Sequence, residues 1–212
     1  MTHHPIDASF ENLTVFIVDD DPDIRDSLGL LLGLRGYRTA LFACAEDFLA
    51  AWRPGFAGCV IADLRMPGMS GLELQKELAS KGIKLPLVLL TAHGDVSSAR
   101  QALREKAIDF LQKPFREEEL TAAIDTGFRK DLERLNSDRE RSTDQSGLAT
   151  LTQREREVMA HLATGASNVA IAQSLSISPR TVEVHKARVM EKLGARNLVE
   201  LTRIADRAGK ID

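Results

Sequence analysis

Three aspartates, a threonine and a lysine carry the chemistry this chain can offer. Asp19 and Asp20 follow the apolar run Thr14-Val15-Phe16-Ile17-Val18, and Asp63 follows Val60-Ile61-Ala62. Thr91 closes Pro86-Leu87-Val88-Leu89-Leu90, and Lys113 comes just after a short run over residues 107–111. Each apolar run reads as a buried strand. If the strands lie parallel in one open sheet, all five residues converge at its carboxyl edge, where such sheets place their sites. Three carboxylates in one pocket repel one another and need a cation, and an all-oxygen set suits Mg²⁺. Such an ion can bridge to a phosphoryl oxygen and neutralise its charge. The Thr91 hydroxyl and the Lys113 ammonium suit further phosphoryl oxygens. An Asp in this company can attack phosphorus and form an aspartyl phosphate. Any one of these residues alone has a plainer reading, as a helix cap or a solvated charge; five at successive strand ends do not.

The elements that must position them follow from pattern. Asp21 and Pro22 supply an N-cap and a first-turn proline, and Ile24, Leu28, Leu31 and Leu32 recur at helical spacing before Gly36. A strand over 37–42, a short helix over 46–52 and the strand ending on Asp63 come next. Pro67, Gly68 and Gly71 mark a loop. A helix from Ser70-Gly71, the strand over 86–91, a fourth helix lined by Ala99, Ala102 and Leu103, a fifth strand and a helix from about Glu117 complete an alternating series. Five strands alternating with five helices predict an α/β domain with a doubly wound five-stranded parallel sheet. The last helix continues through Leu120, Ile124, Phe128, Leu132 and Leu135, so it is expected to reach about 135–140. The polar stretch 136–147 reads as a flexible linker.

Beyond it the pattern changes to four short helices. Thr152-Gln153-Arg154-Glu155 is a capping box. A helix with Val158, Met159 and Leu162 ends at Gly165, a second opens at Ser167-Asn168, and Ser176-Ile177-Ser178 turns into a third starting at Pro179. Gly194 stops that helix near Leu193, and Asn197 caps a fourth. The expected divisions are 1–130, a helical extension and linker over 131–148, and a small all-α domain over 149–212.

Composition agrees with a soluble globular protein. The 212 residues are 43% hydrophobic and 28% charged, with a formal net charge of -3. Residues 149–212 hold 10 Lys and Arg against 7 Asp and Glu, so the charge of the front part is the more acidic. Two regions with different partners are implied. No apolar run approaches a membrane span, and the first residues lack a secretory pattern, so no membrane partner and a cytoplasmic location are expected. Cys44 and Cys59 sit in apolar surroundings and read as buried thiols.

Val18-Asp19-Asp20-Asp21, Asp63-Leu64-Arg65-Met66-Pro67-Gly68, Leu90-Thr91-Ala92 and Phe110-Leu111-Gln112-Lys113-Pro114-Phe115 resemble the receiver domain of two-component response regulators, which has the CheY-like, flavodoxin-like fold. The resemblance implies Asp63 as phosphoacceptor from a sensor histidine kinase, with slow self-dephosphorylation. It implies Mg²⁺ held by Asp20, Asp63 and the Arg65 carbonyl, with Asp19 close by. Thr91 and Lys113 would bind the phosphoryl group, Lys113-Pro114 would be cis, and Phe110 takes the aromatic switch position. Taken from the residues alone, Phe110 is a core side chain.

Residues 167–193 have the form of a helix-turn-helix. At 100° per residue, Val182, Val189, Met190 and Leu193 share one side of the third helix. Arg180, Val184, Ala187, Arg188 and Glu191 lie opposite, with Thr181 and Glu183 at the edges. Lys186 falls near the buried side and reaches outward to a phosphate or merely snorkels. Leu151-Thr152-Gln153-Arg154-Glu155, Ser178-Pro179-Arg180-Thr181-Val182-Glu183-Val184-His185 and Met190-Glu191-Lys192-Leu193-Gly194 are similar to the LuxR-type DNA-binding domain. The whole chain resembles the NarL/FixJ family, in its FixJ-type branch. That resemblance places Arg180, Thr181, Glu183, Val184, Ala187 and Arg188 at DNA-contact positions, and Val169 stands where many members have Lys.

The expected function is a transcriptional response regulator, homodimeric on phosphorylation, with promoter DNA and a sensor kinase as partners and RNA polymerase as a further one. Two rivals remain. A protein-binding adaptor would use the helical domain without DNA. An aspartyl-phosphate phosphatase would want a general acid–base two residues after Asp63, where Arg65 stands instead.

Overall fold

The computed structural model describes residues 7–92 and 109–208. The chain divides into two compact units, Met1–Arg134 and Leu135–Asp212. In the first, strands β1 (Thr14–Val18), β2 (Arg38–Phe42), β3 (Gly58–Asp63), β4 (Leu87–Thr91) and β5 (Asp109–Gln112) form one parallel sheet in the order β2-β1-β3-β4-β5. The doubly wound sheet expected from the alternation is therefore present. Helices α1 (Pro22–Leu34), α2 (Ala45–Ala51) and α3 (Gly71–Ser80) supply the connections, and α4 (Glu117–Ala149) follows β5. The fourth helix expected around Ala99–Leu103 lies outside the described residues.

Local chemistry explains where these elements begin. The Asp21 carboxylate caps α1 by accepting from the Asp23 and Ile24 N–H groups, with Pro22 in the first turn. Ser70 and Glu73 close a capping box on α3. Cys44 is half-buried rather than buried, because it caps α2: its Sγ accepts from the Asp47 N–H at 3.4 Å. Cys59 is fully buried, and burial pushes its thiol pKa up, with the nearby Asp131 charge adding to the effect.

Side-chain alternation divides the sheet core. Phe16, Val18, Val60, Ala62, Leu87 and Leu89 join Phe48, Leu74 and Leu78 of α2 and α3 in one cluster. Val15, Ile17, Ile61, Val88 and Leu90 are buried with the opposite parity. Gly127 of α4 lies so close to β3 that a side chain would force Cys59 to shift: a Cβ there would meet the Cys59 Sγ at 2.6 Å. Four residues on, the buried Asp131 carboxylate accepts from the Gly58 N–H at 2.8 Å and pairs with Arg134 at 2.6 Å. This ties α4 to the start of the strand that ends on Asp63.

The sequence pattern ends α4 at about 135–140 and begins a flexible linker. The structure instead carries the helix through to Ala149. Packing inside the second unit accounts for the difference. Asp144 and Glu140 both pair with Arg207 at 2.8 Å, Leu148 joins the second core, and Gly147 lies against Leu193 and Lys192. Polarity alone suggested solvated coil, but one helical face there has partners.

The second unit continues with α5 (Gln153–Ala163), α6 (Asn168–Leu175), α7 (Pro179–Leu193) and α8 (Leu198–Ala208). Val158, Leu162, Ile171, Val182, Val189, Leu201 and Ile204 fill its core. The capping box on Thr152 and Glu155 forms as expected. Glu155 is buried, and the Lys192 ammonium at 2.7 Å, with the Thr152 N–H, lowers its carboxyl pKa to about 2. In α8 Leu198 is exposed, while Leu201 and Ile204 are buried. Among the described residues no helix is long and apolar enough to cross a membrane.

Candidate functional site

Register brings the sequence-predicted pocket together. Val18 pairs with Ala62, so the residues that follow each, Asp19 and Asp63, leave neighbouring strands side by side. Asp63 pairs with Leu90, and Thr91 pairs with Gln112, so Thr91 and Lys113 emerge one step further along. Four residues separated by as many as 94 positions meet because parallel strands end at one edge.

Lys113 is the hub. Its Nζ lies 2.5 Å from Asp63 Oδ1 and 3.0 Å from Asp19 Oδ2. The other oxygen of each carboxylate accepts a backbone N–H: Arg65 donates to Asp63 Oδ2 at 2.7 Å, and Asp21 donates to Asp19 Oδ1 at 3.0 Å. Asp19 is buried and Asp63 retains 14% side-chain exposure, so Asp63 is the carboxylate open to a reagent. Burial alone would pull the Lys113 pKa down; its hydrogen bonds to Asp63 and Asp19 outweigh that and hold it above the ordinary lysine value. Thr91 is buried and its hydroxyl donates to the Ala92 carbonyl at 3.1 Å. The Lys113 N–H donates to the Thr91 carbonyl at 2.7 Å, and the Lys113-Pro114 bond is cis. Phe110 is partly buried against the α2–α3 side of the core.

The carboxylates expected to hold the metal differ in exposure. Asp20 is exposed, and among the described residues no three His, Cys, Asp or Glu side chains are gathered so as to hold a metal ion. The Lys113 ammonium pairs with both Asp19 and Asp63. The donor set still suits Mg²⁺, which takes one or two carboxylate oxygens and keeps several waters.

Sequence reasoning passed over Glu46. Its Oε1 accepts from the Met69 N–H at 2.9 Å, in the loop that follows Asp63. A carboxylate in the first turn of a short helix reads as a dipole partner, and nothing local points to a loop 23 residues away.

In the second unit the Ser178 side chain caps α7 through the Thr181 N–H, and Gly194 ends it with a positive φ. Val182, Val189 and Leu193 face inward. Arg180, Glu183, Val184, Ala187 and Arg188 are exposed, while Thr181, His185 and Lys186 are half-buried. Val184 and Val169 leave 45% and 57% of their surface exposed.

A parallel 2-1-3-4-5 sheet with an acidic pocket and a lysine at its carboxyl edge, followed by a helix-turn-helix, defines a class: phosphorylation-type signalling domains joined to a DNA reader. Comparison with known proteins agrees. Residues 15–125 match the response regulator receiver domain, and residues 149–205 match the bacterial regulatory proteins of the luxR family. The chain belongs to the response regulator family, as a transcriptional regulator with a LuxR-type DNA-binding domain, and that family is not one of enzymes. It is 42% identical to the transcriptional regulatory protein FixJ of Bradyrhizobium diazoefficiens over 93% of this chain and 97% of that protein. It is 43% identical to FixJ of Azorhizobium caulinodans, over 94% of each. Among solved structures, the response regulator StyR is similar at a TM-score of 0.80 and 39% identity, covering 92% of this chain and 98% of that one.

Proposed function

We propose that a sensor histidine kinase phosphorylates Asp63 and that this promotes pairing of two receiver units and binding of promoter DNA by α7. The observation that carries the reading is the Lys113 ammonium held between Asp63 and Asp19. Asp63 Oδ1 attacks phosphorus in line while the bond from phosphorus to the donor breaks. Lys113 moves from carboxylate to phosphoryl oxygen, and Thr91 turns its hydroxyl from the Ala92 carbonyl to another. The Arg65 N–H keeps Asp63 oriented through Oδ2. Asp19, Asp20, Asp63 and the Arg65 carbonyl would hold Mg²⁺, which neutralises charge developing on the phosphoryl group.

The same reading gives the second unit its task. Arg180, Thr181, Glu183, Val184, Ala187 and Arg188 lie along the outer side of α7 and would enter the major groove, with Lys186 on a phosphate. Val169 cannot supply the charge that the family resemblance leads one to expect from Lys at that position, so affinity and its salt dependence should be slightly weaker. Work in the cytoplasm and contact with RNA polymerase belong to the same proposal.

The test is a gel shift on promoter DNA with and without acetyl phosphate, alongside Asp63→Asn. Phosphorylation should tighten binding, and Asp63→Asn should incorporate no phosphoryl group. Equal binding in both states would overturn the coupling. Footprinting that shows no protected DNA would favour a protein-binding adaptor.

A further inference from the structure

The loop between β3 and α3 runs directly on from Asp63, and its backbone donors are taken up by particular groups. The Arg65 N–H goes to Asp63 itself at 2.7 Å, the Ser70 N–H to Glu73 Oε2 at 2.9 Å, and the Gly71 N–H to the Leu64 carbonyl at 3.1 Å. The Met69 N–H is tied from outside the loop and its helix, by Glu46 Oε1 of α2 at 2.9 Å. The fit at that point is close. Gly68 has φ +74°, and a Cβ on it would meet the Glu46 Oε1 at 2.8 Å. At the other side of the loop a Cβ on Gly71 would lie 2.5 Å from the Asp63 carbonyl oxygen. A side chain at either glycine would push the loop off one of its two supports.

We infer that Glu46 is a positioning residue for phosphoryl acceptance: its carboxylate clamps the Met69 N–H, which fixes the crown of the loop carrying the Arg65 backbone and the orientation of Asp63. The inference rests on Asp63 being the phosphoacceptor. The physical argument is one of leverage. Arg65 sits between two fixed points, the end of β3 and the Met69 clamp. Its N–H is what orients Asp63 Oδ2, leaving Oδ1 for Lys113 and the incoming phosphorus. Without the clamp, residues 66–69 keep the packing of Met66 and Met69 against the core and a glycine at positive φ, but lose the polar tie that fixes the backbone at the crown. The Arg65 N–H and carbonyl then sample positions that no longer serve the pocket. Glu46 is exposed and touches neither Asp63 nor Lys113 in any hydrogen bond described above, so its effect passes through the loop alone.

The chemistry of the contact supplies its own control. The clamp needs an acceptor oxygen at position 46, and Gln carries one in the same place without the charge. The experiment uses the full chain as wild type, Glu46→Ala and Glu46→Gln. Hydrogen exchange at the Met69 amide reports the clamp, and the initial rate of Asp63 phosphorylation by acetyl phosphate with Mg²⁺ reports its consequence. Glu46→Ala should speed exchange at Met69 and slow phosphorylation, each by about tenfold, the scale of one hydrogen bond to a charged acceptor. Glu46→Gln should stay close to wild type in both.

A wild-type phosphorylation rate in Glu46→Ala would overturn the inference. So would unchanged exchange at Met69, or a Glu46→Gln protein as slow as the alanine variant, which would assign the effect to charge. Wild-type protein that takes up no phosphoryl group at Asp63 would show that the phosphoacceptor reading had failed first, before any variant is compared.

Discussion

The two candidate sites are built on opposite plans. The pocket at the sheet edge collects Asp19, Asp63, Thr91 and Lys113 from four strands, and none of them is near another in sequence except through the register of parallel pairing. The outer face of α7 comes from one uninterrupted helix, Pro179–Leu193, and follows from spacing alone. A site made by topology is sensitive to anything that shifts a strand. A site made by periodicity is sensitive only to what it displays and to whether its helix is held. In this chain the sheet-edge pocket is therefore the more fragile of the two candidate sites and the α7 face the more robust.

That contrast can be broken or sharpened by experiment. The largest effect is expected from Lys113→Ala, which removes the ammonium joining Asp63 to Asp19; phosphorylation by acetyl phosphate should slow by at least about a hundredfold, the scale of losing one preorganised charge contact. Radiolabel incorporation measures it, and a rate within threefold of wild type would mean that the pocket does not depend on its hub. Next comes Gly127→Ala, remote from the chemistry. The new methyl group meets the Cys59 Sγ at 2.6 Å, so overpacking should cost about 1–3 kcal/mol in urea unfolding of the receiver region. Phosphorylation should suffer with it, since Cys59 lies on the strand that presents Asp63, while DNA binding of the unphosphorylated chain should not change.

Arg188→Ala tests the other plan. Its exposed position predicts stability within about 0.5 kcal/mol of wild type, with promoter affinity down by about tenfold, as for loss of one direct arginine contact. A large drop in melting temperature would show that the outer face is not independent of the helix beneath it. The smallest effect concerns pH. Glu155 has a folded pKa of about 2, below the ordinary glutamate value of 4.5, so its contribution to stability is fully present above about pH 4.5. It is lost as pH falls through about 2. The helical unit of Glu155→Gln should therefore show a flatter acid-unfolding profile between those limits, followed by circular dichroism.

Legibility tracked the same division. The strand ends could be read because apolar runs stop on chemically capable residues, and the helical face because 3.6-residue spacing is a local property. What could not be read was how far a side chain reaches. The Lys113 ammonium joins Asp19 to Asp63, and nothing at position 113 in the sequence states its direction. Asp131 is a second case. A charged residue on a helix reads as solvated, and only the bare N–H at the start of β3 makes it a buried acceptor. The length of α4 is a third, because Arg207 lies more than sixty residues from the Glu140 it pairs with.

The contacts where α4 crosses the start of β3 also constrain how such a chain can vary by descent. Position 127 must stay without a side chain as long as position 59 carries a sulfur pressed against it. Position 58, at φ +139° with the Thr14 carbonyl oxygen only 1.9 Å from where a Cβ would stand, tolerates nothing but glycine, and its N–H requires an acceptor at 131. Positions 59 and 127 should change together or not at all across related chains, while 58 stays glycine and 131 keeps an acceptor, a mark of inheritance at the end of β3 away from Asp63.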